Sequence, residues 1–146
     1  MCAIVGLGLG AGLDSTDLKP LRGRDVVDHG DDGIEITVTG RRPRTVRVED
    51  DYCELVREGV TGLRPGSLVI GQKHDRNNVA ARVVDQALIR GDAPHIEQTR
   101  LRATWLARKI SQPVPLLALL KEAGLQSVQT LVDIARFLLE REEGDR

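Results

Sequence analysis

The chain has 146 residues and a mass of 16.0 kDa, with 21 basic and 22 acidic side chains for a net charge of -1. That length fits one domain with a core of its own, and the near-neutral charge excludes a global positive field for nucleic acid, so any phosphate contact must come from a local patch. Hydrophobic residues at 40% and charged residues at 29% exclude a disordered chain, and aromatics at 2% leave a core built from Leu, Val, Ile and Ala.

The apolar start has no basic flank and is broken by Gly6, Gly8, Gly10 and Gly12, so no signal peptide or membrane span is expected. Cys2 and Cys53 lack partners at metal-ligand spacing and read as free thiols in a reducing compartment, with the cytoplasm as the expected location and no metal site. Gly6, Gly8 and Ala11 satisfy G-x-G-x-x-[GA], the phosphate-cradling fingerprint of dinucleotide sites. The fingerprint needs a strand, a helix and a second parallel strand. The next residues, from Asp14 to Leu21, read instead as a short helical turn stopped at Pro20.

Residues 25–29 and 34–40 read as strands joined by Gly30-Asp31-Asp32-Gly33, and Ile34, Ile36 and Val38 alternate with Glu35, Thr37 and Thr39 as in a strand buried on one face. A second turn, Gly40-Arg41-Arg42-Pro43-Arg44, leads into residues 45–48. The pattern predicts a three-stranded antiparallel meander whose second tip carries three arginines. Glu49, Asp50 and Asp51 form the acidic first turn of a helix to about residue 58, which buries Tyr52, Leu55 and Val56. Residues 68–70 read as a short buried strand, followed by a polar loop with Lys73, His74 and Arg76, and residues 79–89 as a helix ended at Gly91.

Residues 99–110 form the central helix, with Leu101, Trp105, Leu106 and Ile110 on one apolar face. Arg102 lies beside that face, while Arg100, Arg108 and Lys109 reach outward to water or to an anion. Residues 114–123 form an apolar helix closed by Gly124, and Ser127 caps a last helix from residue 128 to about 141, striped by Leu131, Ile134, Ala135 and Leu138. The charged tail, 140–146, is expected to fray.

In this order the parts resemble the catalytic domain of the tyrosine recombinases, the phage-integrase superfamily. The resemblance covers nearly the whole chain. Gly10-Ala-Gly-Leu-Asp14-Ser-Thr-Asp17-Leu is similar to the family's G-T-G-L-R-x-x-E-L box, and Val38-Thr-Gly40-Arg41-Arg-Pro-Arg44-Thr-Val46 to its V-x-G-K-G-x-K-x-R-x-V hairpin. Thr99-Arg-Leu101-Arg102-Ala-Thr104-Trp105 is similar to H-D-L-R-H-T-F, and the run from Leu119 to Ser127 to the L-L-G-H-S region. The implied fold is α+β and mainly helical with a small meander, over residues 1–139, without the preceding core-binding domain.

The family cuts DNA by tyrosine attack on the scissile phosphate, with two arginines stabilising the transition state. By resemblance Arg102 stands at the second arginine and Arg41 at the hairpin lysine. Asp14 replaces the first arginine, Thr99 and Leu125 the histidines, and Ile134 falls at or near the nucleophile. No tyrosine follows Tyr52. The expected function is therefore weak, phosphate-directed DNA binding without strand cleavage, through Arg41, Arg42, Arg44, Lys73, Arg76, Arg100 and Arg102. No cofactor and no membrane contact is implied. The alternatives are a protein-interaction or regulatory module, associating with itself through the last helix or with a homologous recombinase, an inert remnant of a mobile element, and a dinucleotide-binding enzyme using Gly6, Gly8 and Ala11.

Overall fold

An apolar helix with glycines at every second position organises the molecule. In the computed structural model, which describes residues 1–71, 77–86 and 96–144, this is α1 (Cys2–Ala11). Being apolar on every side, it has to be covered all round. It packs against α3 (Asp50–Val60) and α5 (Gln98–Ile110). The glycines set how close those helices come: a Cβ on Gly6 would lie 2.8 Å from Val56 and one on Gly10 2.7 Å from Tyr52, both on α3, while one on Gly8 would lie 2.8 Å from Leu101 of α5. The strand that a dinucleotide fingerprint requires is thus a helix here, and Gly6, Gly8 and Ala11 serve packing; all three are buried.

After α1 come α2 (Ser15–Leu18) and a 3-10 turn (Gly23–Asp25), then β1 (Val26–Asp28), β2 (Ile34–Val38) and β3 (Arg44–Arg47). These strands form one antiparallel sheet in the order β1-β2-β3, with Ile36 opposite Val26 on one side and Val46 on the other. The alternation expected in β2 is present: Ile34, Ile36 and Val38 are buried, Glu35 and Thr37 exposed. With α1, α3 and α4 (Val79–Gln86), the inner face of the sheet builds the main core. A smaller core, around Trp105, Leu106, Leu119, Ala123 and Leu131, joins α5 to α6 (Leu116–Ala123) and α7 (Gln129–Gly144).

Several expectations need correcting. Residues 68–70 make no strand; Leu68 forms a lone bridge with Arg22, because no longer edge is there to pair with. Of the expected α3 face only Val56 is fully buried, Tyr52 and Leu55 remaining half-exposed. α6 starts at Leu116, since Val114 precedes Pro115 and is biased out of the helical region. The charged segment expected to fray continues α7 to Gly144, as its glutamates and Arg141 are good helix formers. The end of the expected 79–89 helix, and Lys73, His74 and Arg76, lie outside the described residues.

Candidate functional site

Asp14 begins the site. It caps α2, its Oδ1 accepting from the N–H groups of Thr16 at 2.9 Å and Asp17 at 3.0 Å, while the Asp17 carboxylate reaches back to the Asp14 N–H. Leu13 and Leu18 on either side are buried in the core, which draws Asp17 in with them. Asp17 is 1% exposed, and a carboxylate so buried requires cations.

The hairpin supplies two. Arg42, in the turn between β2 and β3, donates to Asp14 Oδ2 and, at 3.3 Å, to Asp17 Oδ1. Arg44, the first residue of β3, grips Asp17 with both ends of its fork, at 2.9 and 3.2 Å, and donates through Nε to the Glu122 carbonyl at 2.8 Å. From α5, Arg102 donates to the carbonyls of Gly12 and Ala123 and stands 3.9 Å from Asp17 Oδ2. Two carboxylates thus sit among three guanidiniums brought from separate parts of the chain.

These contacts shift the ionisation of the groups. Burial pushes the Asp14 carboxyl up, but the hydrogen bond from Arg42, the Asp17 N–H and the nearby Arg102 charge together hold it below the usual carboxylate range. Burial pushes the Arg102 guanidinium down, opposed by Asp14 and Asp17. A guanidinium so placed stays charged. Chemically, the guanidiniums of Arg42 and Arg44 are taken by the protein's own carboxylates, and the Arg44–Asp17 pair is bidentate, the geometry that a phosphate would otherwise use.

The structure brings some of the residues singled out in the sequence together and leaves others apart. Asp14, Arg41 and Leu125, assigned by resemblance to three different motifs, do meet: they line one cleft of about 570 Å³ with Thr16, Arg42 and Gln126. Arg41 is exposed there, whereas Leu125 packs against the smaller core. Arg102, expected at the edge of its helix, is buried at 8% exposure. Arg42 and Arg44, expected to face an anion, face Asp14 and Asp17 instead.

Arg108 and Lys109, expected to reach outward, turn inward to Glu49. Arg108 also donates to the Leu9 carbonyl and to the hydroxyl of Tyr52, the chain's one tyrosine. Their long stems cover apolar surface while the charges find a half-buried partner. Arg100 and Thr99 are exposed on α5, and Ile134 is half-buried against the smaller core. Lys73 and Arg76 lie outside the described residues. The residue missed as part of the site is Asp17; the capping-box spacing Asp14-Ser-Thr-Asp17 and its place at the acidic position of the G-T-G-L-R-x-x-E-L box were its visible signals. Among the described residues no group of His, Cys, Asp and Glu could hold a metal ion, and no helix is long and apolar enough to cross a membrane.

No protein-family model and no curated protein matches the sequence. Solved structures do match the fold. The chain is similar to XerA recombinase with a TM-score of 0.64 and 15% identity, over 96% of this chain and 55% of that one. It is similar to the Tn1549 transposon integrase in complex with a circular intermediate DNA, with a TM-score of 0.56 and 17% identity over 96% of this chain and 57% of that one. The same integrase in complex with transposon right end DNA matches at 0.56 and 18% identity, again over 96% and 57%. The chain therefore spans a little over half the length of the solved chains it matches. At such identities the likeness is one of fold, and in fold the chain is a tyrosine-recombinase-like domain, α+β and mainly helical with a three-stranded meander.

Proposed function

We propose that the chain is a DNA-binding relative of the tyrosine recombinases that holds duplex phosphates weakly and does not cut them. The observation that carries the non-cutting half is the Asp17 carboxylate, which within a recombinase-like fold takes up Arg42 and Arg44 and is flanked by Arg102. Asp14 stands where the resemblance puts a transition-state arginine, and a negative charge there repels the phosphate that an arginine would stabilise. The chain's one tyrosine, Tyr52, lies on α3 and engages Arg108. The Tn1549 integrase matched in fold is a DNA complex, which supports DNA as the ligand class.

Two measurements test the reading together. Fluorescence anisotropy with a labelled duplex is expected to show binding whose logarithm falls linearly with the logarithm of salt, as phosphate contacts release counterions. Incubation with nicked duplex is expected to yield no covalent protein–DNA adduct. Absence of binding at low salt overturns the binding half, and an adduct overturns the non-cleaving half.

A second reading rests on α6 and α7, where Leu117, Phe137 and Leu139 are 80, 62 and 62% exposed and Leu116 and Val132 are exposed as well. Leu116, Val128 and Val132 also line one apolar groove with Leu119 and Leu131, and exposed apolar side chains gathered in this way favour a protein-interaction face. Self-association through this face predicts a sedimentation coefficient that rises with concentration. A monomer at high concentration removes this reading.

A further inference from the structure

Beside the carboxylate-filled cluster runs a groove of about 690 Å³ with a different charge balance. Lys19 follows α2, Arg22 and Arg24 sit at the 3-10 turn, and Arg41 comes across from the hairpin tip; among the described residues Asp25 is the one acidic side chain in its lining. These segments are fixed in place. Leu21, between the first two cations, is 1% exposed, and the Gly23 and Arg24 N–H groups bond the carbonyls of Ser67 and Pro65 at 2.9 Å each. Asp25 turns its carboxylate onto the Arg22 backbone N–H at 2.8 Å, and the Arg22 guanidinium holds the Gly66 carbonyl, which leaves its charge uncompensated.

Lys19, Arg24 and Arg41 are exposed, and among the described residues none has a side-chain hydrogen bond or ion pair. Among the described residues, four cations against one engaged carboxylate give this groove a larger excess than the neighbouring cluster, with three cations and two carboxylates. In a chain of net charge -1, such an excess is local by construction.

We propose that this groove, and not the Arg42–Arg44–Arg102 cluster, receives the phosphate backbone of duplex DNA, with Lys19, Arg22, Arg24 and Arg41 as its contacts. The proposal rests on the DNA-binding reading above and relocates its interface. A run of cations along an open surface, contributed by residues 19–24 and by the hairpin tip, fits a ligand that presents successive phosphates.

The test compares three proteins in duplex titrations across a salt series: wild type, Lys19→Gln/Arg24→Gln, and Lys121→Gln/Arg136→Gln, a control that removes the same charge from exposed positions on α6 and α7. Lys19→Gln/Arg24→Gln is expected to bind about tenfold more weakly than wild type and to flatten the log–log salt slope by about two, one for each lost phosphate contact, with the control near wild type. Equal losses in both variants overturn the proposal, since net charge alone would then explain them. Wild-type binding unaltered by Lys19→Gln/Arg24→Gln overturns the proposal but leaves the DNA-binding reading standing. No binding by wild type at low salt overturns both.

Discussion

Asp17→Ala is expected to destabilise the fold by about 3–5 kcal/mol, the range for removing one partner of a buried ion pair. The magnitude comes from the charges left behind. Arg44 has a side chain only 4% exposed and loses both oxygens of its bidentate partner, while Arg42 and Arg102 keep their charges beside it. Three guanidiniums would then share one site with the half-buried Asp14 as the remaining carboxylate. The capping contact to the Asp14 N–H goes as well. Urea denaturation reads the change as a lower midpoint. Asp17→Ala combined with Arg44→Met is expected to lose less than Asp17→Ala alone, because the second substitution removes the stranded charge and keeps the apolar stem. A single variant within about 1 kcal/mol of wild type would show that water reaches and screens this cluster.

Gly12→Ala is expected to cost about 2–5 kcal/mol, from two separable causes. Gly12 closes α1 in the left-handed region at φ 62°, where a side chain costs about 1–2 kcal/mol. Its Cβ would also lie 2.3 Å from Cε3 of Trp105, which is fully buried and cannot swing away, adding an overpacking cost of about 1–3 kcal/mol. Gly62→Ala separates the two terms. Gly62 has a similar φ of 73° but nothing within 4 Å of a Cβ, so only the backbone cost applies there. Equal losses in the two variants would mean that Trp105 yields to the added methyl.

The consequence of Gly12→Ala reaches the site. Arg102 donates to the Gly12 carbonyl and lies one helical turn from Trp105, so pushing the indole moves the guanidinium with it. The close approach of Gly12 to α5 thus fixes how far Arg102 stands from Asp17. This coupling makes the cluster part of the fold as much as a place for a ligand. Arg44 ties the hairpin to α6 through the Glu122 carbonyl, and Arg102 ties α5 to the end of α1 and to α6 through the carbonyls of Gly12 and Ala123.

The legible parts of the chain are those whose cause is local. Ile34, Ile36 and Val38 alternate, and a strand with one wet face follows from the period alone. Leu101, Trp105 and Leu106 recur at helical spacing, and α5 begins one residue from its expected start. Gly124 closes α6 in the left-handed region, as its position after an apolar helix foretells. Resemblance extended this reach, gathering Asp14, Arg41 and Leu125 into one cleft although they come from the beginning, the hairpin and the far end of the chain. The missing strand has a cause that is not local. Residues 68–70 have the composition of a strand, but a strand exists only where another edge accepts its hydrogen bonds.

The amino-acid sequence by itself determined the buried alternation of β2, the apolar face of α5, the absence of any tyrosine after Tyr52 and the acidic residue at position 14. Each is written in residue identity or in a period of two to four residues. Only the tertiary structure decided which arginines are already engaged: Arg42, Arg44 and Arg102 with Asp14, Asp17 and carbonyls, Arg108 with Glu49 and Tyr52. The partners lie 27 residues away for Arg44 and Asp17 and 56 for Arg108 and Tyr52. A charge has no period along the chain, and its partner is whichever opposite charge the packing of apolar faces brings within reach.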